Sequence, residues 1–125
     1  MEKTKSLIIG MWLMTIACVV VGSLSPGVSP LMAAVGRLHV NDKILHFTAY
    51  LSLAALPVIG FHERRRGIAA GLSMFLLGVA LELGQHFSPG RSVEFGDVIA
   101  NGLGVCCGVL LALGWTSDRA SIDRA

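Results

Sequence analysis

The chain has 125 residues, 54% of them hydrophobic and 14% charged, with a formal net charge of +2. A soluble domain carries about 25% charged residues, so this composition cannot cover a water-soluble globule, and it is the reverse of what disorder requires. The slight charge excludes a nucleic-acid surface, and the length allows one domain at most. The chain reads as an integral membrane protein.

Four apolar segments follow in order. Segment 1, Leu7–Leu24, comes after Lys3 and Lys5, a start that a signal peptide would share. Its run is longer than a usual signal core, and Val21-Gly22-Ser23 makes a poor cleavage site, which favours a retained anchor. The linker 26–43 carries Leu31, Met32, Val35 and Leu38, a spacing that fits one face of a short interfacial helix. Segment 2, Ile44–Phe61, contains Pro57, which removes one backbone hydrogen bond and predicts a kink. The tight 62–66 turn makes segment 2 and segment 3, Gly67–Phe87, antiparallel neighbours. A second linker, 88–97, holds Pro89-Gly90 and leads to segment 4, Val98–Trp115.

At about 1.5 Å per residue, roughly 18 helical residues reach about 27 Å, near the thickness of the bilayer's hydrocarbon. Helices satisfy their own backbone, and Ile16–Val21 and Phe75–Leu81 show none of the alternation a strand needs. The expected architecture is all-α: one polytopic membrane domain over 1–125, with four transmembrane helices in a small bundle. Lys3, Lys5, Arg64, Arg65, Arg66, Arg119 and Arg124 fall on one side, against Arg37, Lys43 and Arg91 on the other. This places both termini in the cytoplasm, the Arg triplet serving as a topology signal. Cys18, Cys106 and Cys107 sit within apolar segments and read as packing residues.

Polar residues gather toward the opposite, outer side. Asp42, His46 and Tyr50 are four apart and share a face of segment 2, with Lys43 beside them. Segment 3 brings Glu82, Gln85 and His86 to that side, segment 4 starts with Asp97 and Asn101, and Arg91 lies between them. Gly71, Gly78, Glu82 and Gln85 form one stripe, and Asp97, Asn101, Gly104 and Gly108 another. Small residues let helices close up while polar ones avoid lipid, so segments 2, 3 and 4 are expected to surround an outward-facing polar pocket.

Plainer roles stand beside that one. Asp42 and Asp97 suit helix caps, Asn101 a hydrogen bond between helices, and Tyr50 an interfacial belt. Lys43 and Arg91 can snorkel to the headgroups, and His86 suits the interface. Glu82 is harder to explain away, about 7 Å inside its segment, where an ionised group needs a partner. Lys43, Arg91 and His46 are its candidates. His46, Glu82, His86 and Asp97 could also meet around a metal, but no compact His-Glu-x-x-His motif is present. No metal and no cofactor is assigned.

Taken in order, Asp42-Lys43-x-x-His46-x-x-x-Tyr50, Glu82-x-x-Gln85, Arg91 and Asp97-x-x-x-Asn101-x-x-Gly104 resemble the VanZ-like family, named after a protein associated with teicoplanin resistance. The resemblance runs over Asn41–Gly108 and implies a small polytopic protein of the bacterial cell envelope, without supplying a reaction. Segment 1, His86 and the cysteines lie outside its pattern.

Three functions are compatible with these residues. In the first, the pocket binds an anionic or amphiphilic group: a membrane lipid, a lipid-linked wall precursor or a lipoglycopeptide. Lys43 and Arg91 would meet the anion, and Glu82, Gln85 and Asn101 would hold the pocket by hydrogen bonds. The alternative is an enzyme acting on a lipid-linked substrate at the outer leaflet, with Glu82 or His46 as acid or base; no Ser or Cys nucleophile joins the cluster. Transport is the weakest, since segments 1 and 4 carry no charge and the only acid of segment 3 lies toward one end.

Overall fold

The computed structural model describes residues 1–24, 41–87 and 94–124. They form four antiparallel helices: α1 (Glu2–Leu24), α2 (Asp42–Gly60), α3 (Arg64–His86) and α4 (Phe95–Ile122). All four are long and apolar enough to cross a membrane, and the protein is a multi-pass membrane protein. The proposed interfacial helix and Arg91 lie outside the described residues.

α2 is the central element. It packs most extensively on α4, then on α3 and α1, while α1 and α4 do not meet. Leu53, Ala54, Val58, Val105, Val109 and Ala112 form the buried seam between α2 and α4, extended by Tyr50 and by Met74 of α3. Two glycines set how closely the seam can close. A Cβ on Gly104 would strike the carbonyl oxygen of Phe47, and one on Gly108 the carbonyl oxygen of Leu51. In lipid, where apolar surface alone draws no helices together, such backbone approach supplies the packing.

Pro57 sits inside α2 and does not end it. Lacking an N–H, it cannot donate to the carbonyl of Leu53, which lies at the core with no exposed surface. Trp12 of α1 supplies the missing donor: its indole Nε1–H donates to the Leu53 oxygen at 2.9 Å. The ring also packs edge-on to Phe61, with centroids 5.8 Å apart. α1 has no fully buried residue, so this bond and ring contact, with Ile16 and Val19 packed on the core, help to fix its position.

Most boundaries shift from the expected segments by one to three residues, and two shift further. α1 begins at Glu2 rather than Leu7, its first residue pairing with His62 across 2.9 Å at the end holding both termini. α4 runs past Trp115 to Ile122. Its polar extension is held by the Arg119 guanidinium over the Trp115 ring, 4.9 Å from the centroid, and by Thr116 Oγ1 donating to the Ala112 carbonyl at 3.0 Å.

Candidate functional site

The polar residues meet where α2 and α4 begin. Asn41 caps α2, its side chain accepting from the Lys43 N–H at 2.9 Å. Asp42 is therefore the first helical residue rather than the cap, and its carboxylate turns toward His46, Oδ2 to Nε2 being 3.9 Å. The other ring nitrogen of His46, Nδ1, lies 3.0 Å from Asn101 Oδ1. Asn101 is 1% exposed, so an unpaired amide there would be expensive; the bond to His46 locks α2 to α4.

Asp97 is not a cap either. α4 starts at Phe95, two residues earlier, and its N-cap position is Glu94, whose side chain caps nothing. Asp97 thus enters the first turn and points inward, 7% exposed. Its Oδ1 is buried and accepts no hydrogen bond among the described residues, with Lys43 Nζ 3.6 Å away as an ion-pair partner. That ammonium donates instead to Glu94 Oε2 at 2.8 Å. The stem of Lys43 lies over Gly96, where a Cβ would come within 2.7 Å of its Cε.

Lys43, one of three partners the sequence offers for Glu82, pairs with Glu94 and Asp97. Its hydrogen bond, then its charge, hold the Glu94 carboxyl below the usual carboxylate range. A lowered folded value means that the pair supports the fold above the ordinary carboxylate pKa and lets go as pH falls through the lowered one. Both partners are about half exposed, so water screens the bond and either can be exchanged for another ion.

The remaining residues lie to the side of this cluster. Tyr50 is buried against α3, where a Cβ on Gly78 would come within 2.9 Å of its ring. Glu82, one turn beyond Gly78, is 4% exposed and within electrostatic range of the Tyr50 phenol. It is not without a partner. Gln85 departs from the expected pocket: its Nε2 donates to the Ser23 carbonyl at 3.1 Å, tying α3 to the end of α1. His86 is exposed beside Phe87. The sequence reading misses Glu94, which stands three residues before Asp97 and meets Lys43 only because α2 and α4 begin side by side.

The fold and the site together define a multi-pass membrane protein with an ionisable cluster at one end of its bundle. The VanZ/LLP1 family matches it over residues 11–116, most of the chain, and the protein belongs to that family. The match is wider than Asn41–Gly108 and takes in more than half of α1. No curated protein and no solved structure matches the chain.

Proposed function

We propose that the protein is a binding component of the bacterial cell envelope, with the cluster facing away from the cytoplasm and taking the anionic group of an amphiphile. Candidate ligands are a lipid headgroup, a lipid-linked wall precursor or a lipoglycopeptide. The observation that carries this reading is the 2.8 Å Lys43–Glu94 pair, half exposed on both sides at the end of the bundle. Glu94 is a replaceable counter-ion: a phosphate or carboxylate of the ligand takes its place on Lys43, while the half-buried His46–Asn101 bond keeps α2 and α4 in register. The apolar flanks of α2 and α4, with Ile44 and Ile99 exposed near the cluster, suit the ligand's hydrocarbon part.

Orientation is tested first. In a background without the three native cysteines, a cysteine placed at 62–66 should resist an impermeant thiol reagent in intact cells, while one at 94 should react. Labelling of the turn from outside would reverse the protein and remove this reading.

The binding itself is tested by exchange. With dodecyl phosphate as probe and the full chain in detergent, Lys43→Ala should weaken binding about tenfold or more, the loss of one charge-assisted bond. Glu94→Gln should strengthen it, because the competing carboxylate is gone. In a bacterial host, expression should raise teicoplanin tolerance modestly, and Lys43→Ala should abolish the rise while still reaching the membrane. Envelope lipids and muropeptides should stay chemically unchanged. A new species in their mass spectra, lost in His46→Ala, would instead identify an enzyme.

A further inference from the structure

Asp42, His46 and Asp97 each offer one ligand atom, and the three atoms lie within 4.8 Å of one another. Two observations distinguish this from a chance meeting of acids at a helix start. The first is Asp97 Oδ1, a buried carboxylate oxygen that accepts no hydrogen bond among the described residues. Lys43 Nζ stands 3.6 Å away as an ion-pair partner, but its short hydrogen bond, 2.8 Å, goes to Glu94. A carboxylate oxygen taken from water and served only by a long ion pair leaves a place for a closer cation.

The second is the way His46 is held. Asn101 Oδ1 can only accept, so Nδ1 carries the ring proton and donates across the 3.0 Å bond. In the neutral ring this leaves the Nε2 lone pair on the side of the Asp42 carboxylate, 3.9 Å from its Oδ2. Metal-binding histidines are fixed in this manner, with the far nitrogen donating to a protein oxygen that sets tautomer and ring direction. Asp42 completes the set at little cost: its side chain is 70% exposed and free to turn inward. With metal–ligand bonds of about 2.0–2.1 Å, ligand atoms in a tetrahedral site stand about 3.3 Å apart, so a modest rotation of Asp42 closes the group.

We propose that Asp42, His46 and Asp97 form a binding site for a divalent transition-metal cation. One imidazole nitrogen with two carboxylate oxygens suits zinc, and the imidazole disfavours magnesium and calcium, which take oxygen ligands. Three protein ligands leave a further position open to water or to an oxygen of a bound molecule. The site does not depend on the anion exchange at Lys43: metal binding is read without any amphiphile, and either can fail alone.

The experiment uses the full chain, purified in detergent with a tag free of histidine and stripped with a chelator. Competition against a chromophoric chelator should show one Zn²⁺ bound per chain, undisturbed by a hundredfold excess of Mg²⁺ or Ca²⁺. Asp42→Asn, His46→Gln and Asp97→Asn should each weaken binding about a hundredfold. Asn101→Ala, acting only through His46, should weaken it about ten- to a hundredfold. Zn²⁺ should raise the thermal midpoint of the native protein and leave that of Asp97→Asn unmoved. His62→Gln and His86→Gln, which alter the other histidines near acids or at helix ends, should bind as the native chain does. Because Asp42 is exposed, Asp42→Asn keeps the test decisive even if the buried variants misfold. The proposal is overturned by the absence of saturable binding, by binding that survives in Asp42→Asn and His46→Gln, or by its loss in His62→Gln.

Discussion

Gly104→Ala and Gly108→Ala should each destabilise the folded bundle by about 1–3 kcal/mol, toward the upper end because the group in the way is backbone. The added methyl would meet the Phe47 carbonyl at one position and the Leu51 carbonyl at the other. Neither oxygen can rotate aside as a side chain would, so α2 and α4 must part along their whole seam. Gly10→Ala and Gly114→Ala provide the contrast within the same protein, since a Cβ at either meets nothing within 4 Å. There alanine only restricts the unfolded chain and favours the helix, and stability should hold or rise by about 0.5–1 kcal/mol. Reversible unfolding in mixed micelles, followed by tryptophan fluorescence, would show the split. Equal behaviour of all four variants would mean that the α2–α4 approach is not what the glycines serve.

The four helices are legible in the sequence because lipid leaves so few alternatives: Leu7–Leu24 or Val98–Trp115 must satisfy its own backbone wherever it lies. Their ends are less so. Ser117, Asp118 and Arg119 look like the start of a polar tail, yet α4 continues through them. The reason is local, with Arg119 covering Trp115 and Thr116 bonding back one turn, and hydropathy does not register such bonds. The same limit applies at the other end of α4. Beginning at Phe95 rather than Val98 moves Asp97 from a capping position into the first turn, where its side chain faces the bundle.

Periodicity also says which residues share a face, but not which neighbour that face meets. Asp42, His46 and Tyr50 do share one, yet His46 turns to Asn101 of α4 while Tyr50 packs on Gly78 of α3. Glu82 and Gln85 were assigned to a single stripe. At 3.6 residues per turn, three residues leave them about 60° apart, enough for Gln85 to reach α1 instead. Glu94 escaped notice for a different reason: it lies in a linker, where no repeat assigns it a direction. Apart from Glu94 the cluster's composition is visible in the sequence, and its pairing is a property of α2 and α4 meeting.

The bond that proline makes necessary is the other place where a large effect is expected. Trp12→Phe keeps the ring against Phe61 but removes the donor to the Leu53 carbonyl, leaving a core oxygen with neither water nor protein to serve it. Losing one such bond between membrane helices costs about 1–2 kcal/mol. Part of that cost exists only because residue 57 has no N–H to offer four residues back. Pro57→Ala restores an ordinary helical donor to the same oxygen, so Trp12→Phe in that background should cost about 1 kcal/mol less than it does alone. A double-mutant cycle on unfolding free energies measures the difference, with each single variant supplying its own packing loss. If Trp12→Phe costs the same in both backgrounds, the indole N–H is not substituting for the missing backbone donor, and what Trp12 contributes to the α1–α2 contact is ring packing.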